Sequence, residues 1–444
     1  MFFFICPSTA TSAETAEKKL SLADCIQIAL NNSSSAKKAE YNIKLQGADI
    51  LRSYGSFLPR FSASINYAPY SLNRAYTLSA PSQEPQTVKT TFRSVDFTLS
   101  TSLNLFNGFS DYASLQSSLK KNEAAVYNLA QARQSVVYDV TQTYYQVLLD
   151  QELLDISREN LLAAQDQLTL VDQQFKVGLK SMTDLYQQQA DVAQSRLSAD
   201  KADTRMNQSM YELVRRLRID PQTKITLVQE LRAQNAPLLS KNDLDTLVQR
   251  ALAQRKDLKG RELETIAAQW QLNGSRGRWY PTIDLLVNLG TSGTEYLHNE
   301  YSSQPLSEQL QHSVGYSVAL AFNWTLFDGF QTHYAVQSAK INLLNQKLDY
   351  DDFKKDIVIN IHQATDEYAS ACKQIEAAKV SLAAARLAYD AVKRKYELGA
   401  ASFVEISAAR ATLFNARSNL SQASYNLALQ KNILDFTTGN IPIP

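Results

Sequence analysis

The sequence predicts a mixed α and β fold written twice, each copy joining two alternating strands to a very long helix. Three observations predict it. First, matching segments recur at a fixed offset: Pro59 and Pro281 are 222 positions apart, and Leu105-Phe106-Asn107-Gly108-Phe109 returns 221 positions later as Leu326-Phe327-Asp328-Gly329-Phe330. Phe175-Lys176-Val177-Gly178 likewise returns as Tyr396-Glu397-Leu398-Gly399. Second, four segments alternate apolar and polar residues with period two. Third, apolar residues recur every seventh position through two long stretches free of Gly and Pro. A fixed internal offset is the signature of a duplicated architecture.

In chain order, residues 1–19 hold a short apolar run, Phe2 to Cys6, followed by small residues, Thr11 to Ala13. They read as the remnant of a secretory signal without its basic front, or as a disordered N-terminus. Cys6 is not expected to carry a lipid anchor, because Phe3 to Ile5 lack the small residue such a cleavage site needs. The first repeat spans residues 20–217. It opens with a helix, Leu22 to Arg52, followed by two strands within about 57–107. There Phe61, Ala63, Ile65 and Tyr67 share one face, as do Val95, Phe97, Leu99, Leu103 and Leu105. The connection Leu72 to Thr90, rich in Ser, Gln, Pro and Glu, reads as an exposed loop.

After Gly108 the pattern turns helical as far as Gly178, a stretch of roughly 100 Å at 1.5 Å per residue. Val140, Val147, Leu154, Leu161, Leu168 and Phe175 mark its seven-residue spacing. Gly178 is expected to cap the helix in the left-handed region. Periodicity resumes from Asp184 to Leu217, so a long helical hairpin with its tip at Gly178 follows the strands. Residues 218–243, with Pro221 and Pro237, read as the linker between repeats.

The second repeat, residues 244–440, has the same parts. A helix from Leu244 to Gly274 precedes two strands within about 280–327, carrying Ile283, Leu285, Val287 and Leu289, then Tyr316, Val318, Leu320, Phe322, Trp324 and Leu326. Thr291 to His312 reads as a loop. Ile361, Tyr368, Ile375, Leu382, Tyr389 and Tyr396 repeat the heptad, and Gly399 marks the second tip before a helix to Phe436.

Composition narrows the classes. A net charge of +1 and the lack of a basic tract with interleaved aromatics give no reason to expect nucleic acid. Cys6, Cys25 and Cys372 are too scattered for a disulfide framework or a zinc cluster. His298, His312, His333 and His362 have no metal-ligand spacing, and no nucleophile elbow or phosphate loop is present. No enzyme, cofactor or metal site is therefore expected. The 22 Tyr residues, and aromatics near strand ends such as Trp279, Tyr280, Phe57 and Tyr70, suit a membrane interface. No run nears the roughly 18 apolar residues of a spanning helix, so a membrane crossing would use strands. A soluble sheet with its apolar face on a core fits the alternation too. A membrane barrel needs about eight strands or more, so a chain with four calls for several copies, such as three giving twelve.

These pieces in this order resemble the TolC-like outer-membrane efflux proteins, or outer membrane factors, from about Leu20 to the C-terminus. The most specific are the two tips, Val177-Gly178-Leu179-Lys180-Ser181-Met182-Thr183-Asp184-Leu185 and Leu398-Gly399-Ala400-Ala401-Ser402-Phe403-Val404-Glu405-Ile406. The resemblance implies a homotrimer in the outer membrane of a Gram-negative bacterium. Its twelve strands would form one antiparallel barrel in outer-membrane lipid, and its helices a coiled-coil tunnel through the periplasm. It implies export of small molecules or proteins, docked on an inner-membrane transporter and its periplasmic adaptor, or membrane fusion protein.

By the same resemblance, Val177, Gly178, Leu179, Leu398, Gly399 and Ala400 would meet the adaptor, and Asp184, Thr183, Tyr396 and Glu405 would form the periplasmic gate. The chain departs from the family pattern at Ala401, where an Arg can provide a closing link. It departs again at Ala408, the inner position of an acidic ring whose outer position Glu405 fills. The competing role for Asp184 is a plain helix cap. The rival from another class is a structural or adhesive coiled-coil protein without a pore. Past the tips the copies disagree, Lys180 against Ala401, Asp184 against Glu405 and Gln187 against Ala408, and a gate is expected at such unmatched positions.

Overall fold

Alternating β-branched and aromatic residues favour extended chain, and the computed structural model shows four long antiparallel strands where that alternation lies. It describes residues 18–77, 86–223, 225–229, 241–297 and 304–441. The N-terminal run with Cys6, the linker residue Pro237 and His298 lie outside the described residues. Contacts divide the chain into two units, each drawing segments from both repeats.

One unit comprises residues 42–125 and 261–350. Its sheet contains β2 (Arg60–Thr77), β3 (Gln86–Phe106), β5 (Thr282–Tyr296) and β6 (Gly315–Asn323), in the order β2-β3-β5-β6. The register pairs Ile65 with Phe97, Leu99 with Leu289, and Leu285 with Leu320, so the apolar residues of all four strands share one face. That face is open: Ile65 is 73% exposed and Leu320 69%. A soluble sheet would bury it on a core.

Both expected loops are partly ordered ladder. β2 and β3 continue to Thr77 and from Gln86, because Leu72–Tyr76 and Thr87–Thr91 pair directly. The register shifts between Ala68 and Ser71, around Pro69, which has no N–H to give the ladder. After β5 the chain forms a short helix, α7 (Leu306–His312), which lies against the strand. The Gln309 amide accepts from Thr294 N–H at 2.9 Å and donates to Thr294 C=O at 2.8 Å. Gly293 leaves room for Leu306, whose Cδ2 would lie 3.1 Å from any added Cβ. β6 stops at Asn323, so Trp324 and Leu326 fall beyond the strand on which alternation placed them.

Helices complete this unit. The C-terminal part of α2 (Ser34–Gly55), most of α6 (Lys256–Gly277), and the starts of α3 (Ser110–Lys176) and α8 (Gln331–Glu397) belong to it. Ala268 and Leu272 pack with Val336 and Leu343. Each strand-to-helix turn puts a Gly and a Phe in the left-handed region, Gly108 and Phe109, then Gly329 and Phe330. Phe109 meets Phe106 edge-on with centroids 5.4 Å apart, and Phe330 meets Phe327 in the same way at 5.5 Å.

The other unit holds the remainder of α3 and α8 with α4 (Met182–Leu217), α9 (Phe403–Thr437), α1 (Leu22–Asn32) and α5 (Lys241–Gln254). α3 and α8 are both 67 residues long. Val140, Val147 and Leu154 are buried at the expected spacing, as are Ile361, Tyr368 and Ile375. Val140, Tyr144 and Val147 pack with Leu213, Leu217 and Tyr425, while Tyr368 and Ile375 pack with Leu427. A parallel pair, β1 (Lys18–Leu20) with β4 (Ile225–Leu227), adds to the first cluster. Tyr144 fastens it by donating to Val228 C=O at 2.6 Å.

Two helices expected as single pieces are each broken once. Ser33 ends α1 and caps α2, accepting from Ala36 N–H at 3.2 Å. Arg255 separates α5 from α6. Among the described residues no helix is long and apolar enough to cross a membrane.

Candidate functional site

Both long helices end in the same backbone device. Gly178 N–H donates to Phe175 C=O at 2.9 Å and Leu179 N–H to Gln174 C=O at 2.8 Å. Gly399 N–H donates to Tyr396 C=O at 3.0 Å and Ala400 N–H to Lys395 C=O at 2.8 Å. This is the Schellman pattern, and it requires φ > 0 at the residue after the cap. The two glycines supply it, with φ of 80° and 72°.

The returning helices begin with matched capping boxes. Ser181 Oγ accepts from Asp184 N–H at 3.1 Å, and the Asp184 carboxylate accepts from Ser181 N–H at 3.1 Å and Oγ–H at 2.8 Å. Ser402 and Glu405 repeat this, with the Glu405 carboxylate 2.6 Å from Ser402 N. Such a cap contributes about 1 kcal/mol to its helix. The bonds from Ser181, its hydroxyl first, hold the Asp184 carboxyl below its usual range. Those from Ser402, its backbone N–H first, do the same for Glu405. Both groups stay ionised, and each is turned to its own helix end.

Tyr396, 8% exposed, packs with Phe403 and Ile406 and against half-buried Tyr389, Val392 and Ala401. The Lys180 ammonium, from the other tip, lies 4.7 Å above the Tyr396 ring centroid. The two tips therefore touch through a cation and an aromatic face. Tyr396 Oη is buried and has no hydrogen-bond partner among the described residues. Thr183 is exposed, as are Val177, Leu179, Leu398 and Ala400. The structure thus joins Lys180 to Tyr396, and keeps Asp184 and Glu405 in separate capping boxes.

Behind the tips lies a polar cluster that sequence reasoning missed. Gln188 is fully buried and donates to Ala164 C=O at 2.9 Å, and Asp191 forms an ion pair with buried Arg410. A signal was present: at an offset of 221, Asp191 faces Thr412 and Arg410 faces Gln189, so neither charge is repeated. Among the described residues no group of three His, Cys, Asp or Glu side chains is placed to hold a metal ion.

The family model described as outer membrane efflux protein matches residues 25–217 and again 247–440. The chain is 22% identical over 300 residues to "Outer membrane protein TolC" of Escherichia coli (strain K12), a match covering 67% of this chain and 60% of that protein. Its fold is similar to that of CusC, with a TM-score of 0.80 at 19% identity, covering 95% of this chain and 92% of the other. The Campylobacter jejuni CmeC outer membrane channel also gives a TM-score of 0.80, at 20% identity, covering 94% and 85%.

Proposed function

We propose that this chain, which belongs to the outer membrane efflux protein family, acts as a trimeric channel-tunnel exporting small molecules or proteins across a Gram-negative outer membrane. The observation that carries the reading is the sheet. Its apolar face is most open on the edge strands β2 and β6 and half-buried along much of β3 and β5. An open apolar face of this size calls for an apolar partner, and lipid is the partner that suits alternating strands. Unpaired edge strands call for closure. Three copies pairing β6 of one with β2 of the next would give twelve strands around one pore, with the long helices forming the periplasmic tunnel.

Conduction tests this against an adhesive coiled-coil protein. The purified protein in planar bilayers is expected to give discrete conductance steps, and a silent bilayer would sink the channel reading. Asp184, Thr183, Tyr396 and Glu405 are proposed as the gate. Replacing Asp184 with Ala together with Tyr396→Phe is expected to raise single-channel conductance. Ser181→Ala, which removes the cap but keeps the carboxylate, is the control, and an equal rise there would reassign the effect to helix fraying.

The tips are proposed to receive the periplasmic adaptor of an inner-membrane transporter. Val177, Leu179 and Leu398 are exposed there beside Gly178, Gly399 and Ala400. Gly178→Trp and Gly399→Trp are expected to abolish cross-linking to that adaptor while the trimer persists. Undiminished cross-linking would refute the docking assignment.

A further inference from the structure

We propose that Asp191 and Arg410 form the tie between the two hairpins, and that this pair must part before the second hairpin can move away from the first. The proposal rests on the channel reading and names the residues that hold the tunnel closed in this particular chain. It starts from what the tips lack. Ala401 provides no cation, and the carboxylates of Asp184 and Glu405 are engaged by Ser181 and Ser402. Neither of these two carboxylates is therefore shared between the hairpins. Lys180 over Tyr396 is a contact with a ring, and the carboxylate that feels its charge, Asp184, belongs to the same hairpin.

The shared charge lies deeper. Asp191 is 13 residues past Gly178 and Arg410 is 11 past Gly399, so the pair sits about three helical turns behind the tips. Arg410, on α9, is 6% exposed, and its guanidinium donates to the Asp191 carboxylate on α4. Gln188, one turn before Asp191, donates to Ala164 C=O on α3 and lies 3.4 Å from the Asp191 carboxylate. One polar cluster thus joins α3, α4 and α9.

The seam continues with the same polarity. Arg417 of α9 pairs with Glu159 of α3, and Ser421 Oγ donates to the Glu152 carboxylate at 2.7 Å. In these three contacts the first hairpin provides the carboxylate and α9 the donor. The Arg417–Glu159 pair is open to water and contributes little. Arg410 differs, because a buried guanidinium that loses its partner remains as an unpaired charge in a poorly solvated place. Such a pair is either made or broken, with no easy intermediate, as a gate with two states requires.

The test uses the full-length trimer in planar bilayers, with Asp191→Asn, Arg410→Gln, and the exchange of Asp191→Arg with Arg410→Asp. Each single variant is expected to raise single-channel conductance severalfold, and the exchange to return it toward wild type, with all trimers intact by size-exclusion chromatography. Singles that conduct like wild type would overturn the proposal. So would an exchange that stays as open as the singles, since restored pairing would then have no effect. If a single variant yields no trimer, the exchange carries the test, and conductance above wild type overturns it. If Asp184→Ala with Tyr396→Phe opens the channel and these variants do not, the tie is refuted and the channel reading stands. If wild type and every variant are silent, the channel reading falls and takes the tie with it.

Discussion

Gly108→Ala is expected to destabilise the sheet-bearing unit severely, while Gly329→Ala, at the equivalent place in the second copy, costs only the strain of its backbone conformation. The two glycines share a conformation, with φ of 65° and 64°. A side chain in that region costs about 1–2 kcal/mol by itself. What surrounds them differs. A Cβ on Gly108 would lie 2.1 Å from the carbonyl oxygen of Gly277 and 2.9 Å from its carbon, whereas one on Gly329 would meet nothing within 4 Å. Backbone atoms cannot rotate aside, so α6 or the turn must shift. The Gly108 variant should lose at least about 4 kcal/mol, within the small class of severe substitutions. Thermal unfolding followed by circular dichroism would compare the two, and equal midpoints would refute the close approach.

Arg255→Ala is expected to cost about 3–5 kcal/mol, the usual loss when one partner of a buried ion pair is removed. Arg255 lies at the break between α5 and α6, where its guanidinium grips both oxygens of Asp257 at 3.0 and 2.6 Å and donates to Thr437 C=O at 2.9 Å. The side chains are only 10% and 15% exposed. Truncation leaves the Asp257 carboxylate with the Leu258 N–H at 2.8 Å but without its counter-charge, and takes this donor from the Thr437 carbonyl. Arg255→Lys should recover only a small part, because an ammonium cannot match the two-pronged geometry. Denaturant unfolding of the three proteins measures this, and a loss below about 1 kcal/mol in Arg255→Ala would disprove the role.

These two positions show what sequence reading reaches. Gly108 was marked by its motif, but the approach of Gly277 depends on a helix far away in the chain. Arg255 gave no sign at all, since helical periodicity runs on either side of it. Features carried by one element's own rhythm were legible: the strand faces, the heptads through Val140 and Ile361, and the tip glycines. Features made by two distant segments were not. The pairing of Lys18–Leu20 with Ile225–Leu227 is three residues long and too short to alternate visibly. The helix α7 depends on folding back against Gly293 and Thr294 of the preceding strand, a contact that neither element's own rhythm announces. At the candidate site, Asp184 and Glu405 were legible as polar residues after a tip. The helix-cap role of Asp184 was legible as well, whereas the matching box of Glu405 with Ser402 and the partnership of Asp191 with Arg410 needed coordinates.

Each tip turn is held by main-chain bonds, one glycine and one serine-centred box. The side chains of Val177, Leu179 and Leu398 have no part in it and project into solvent. The shape of the tip is therefore uncoupled from the identity of the side chains it displays. A lineage can rewrite those apolar residues freely, keeping the same turn while changing what the turn attracts.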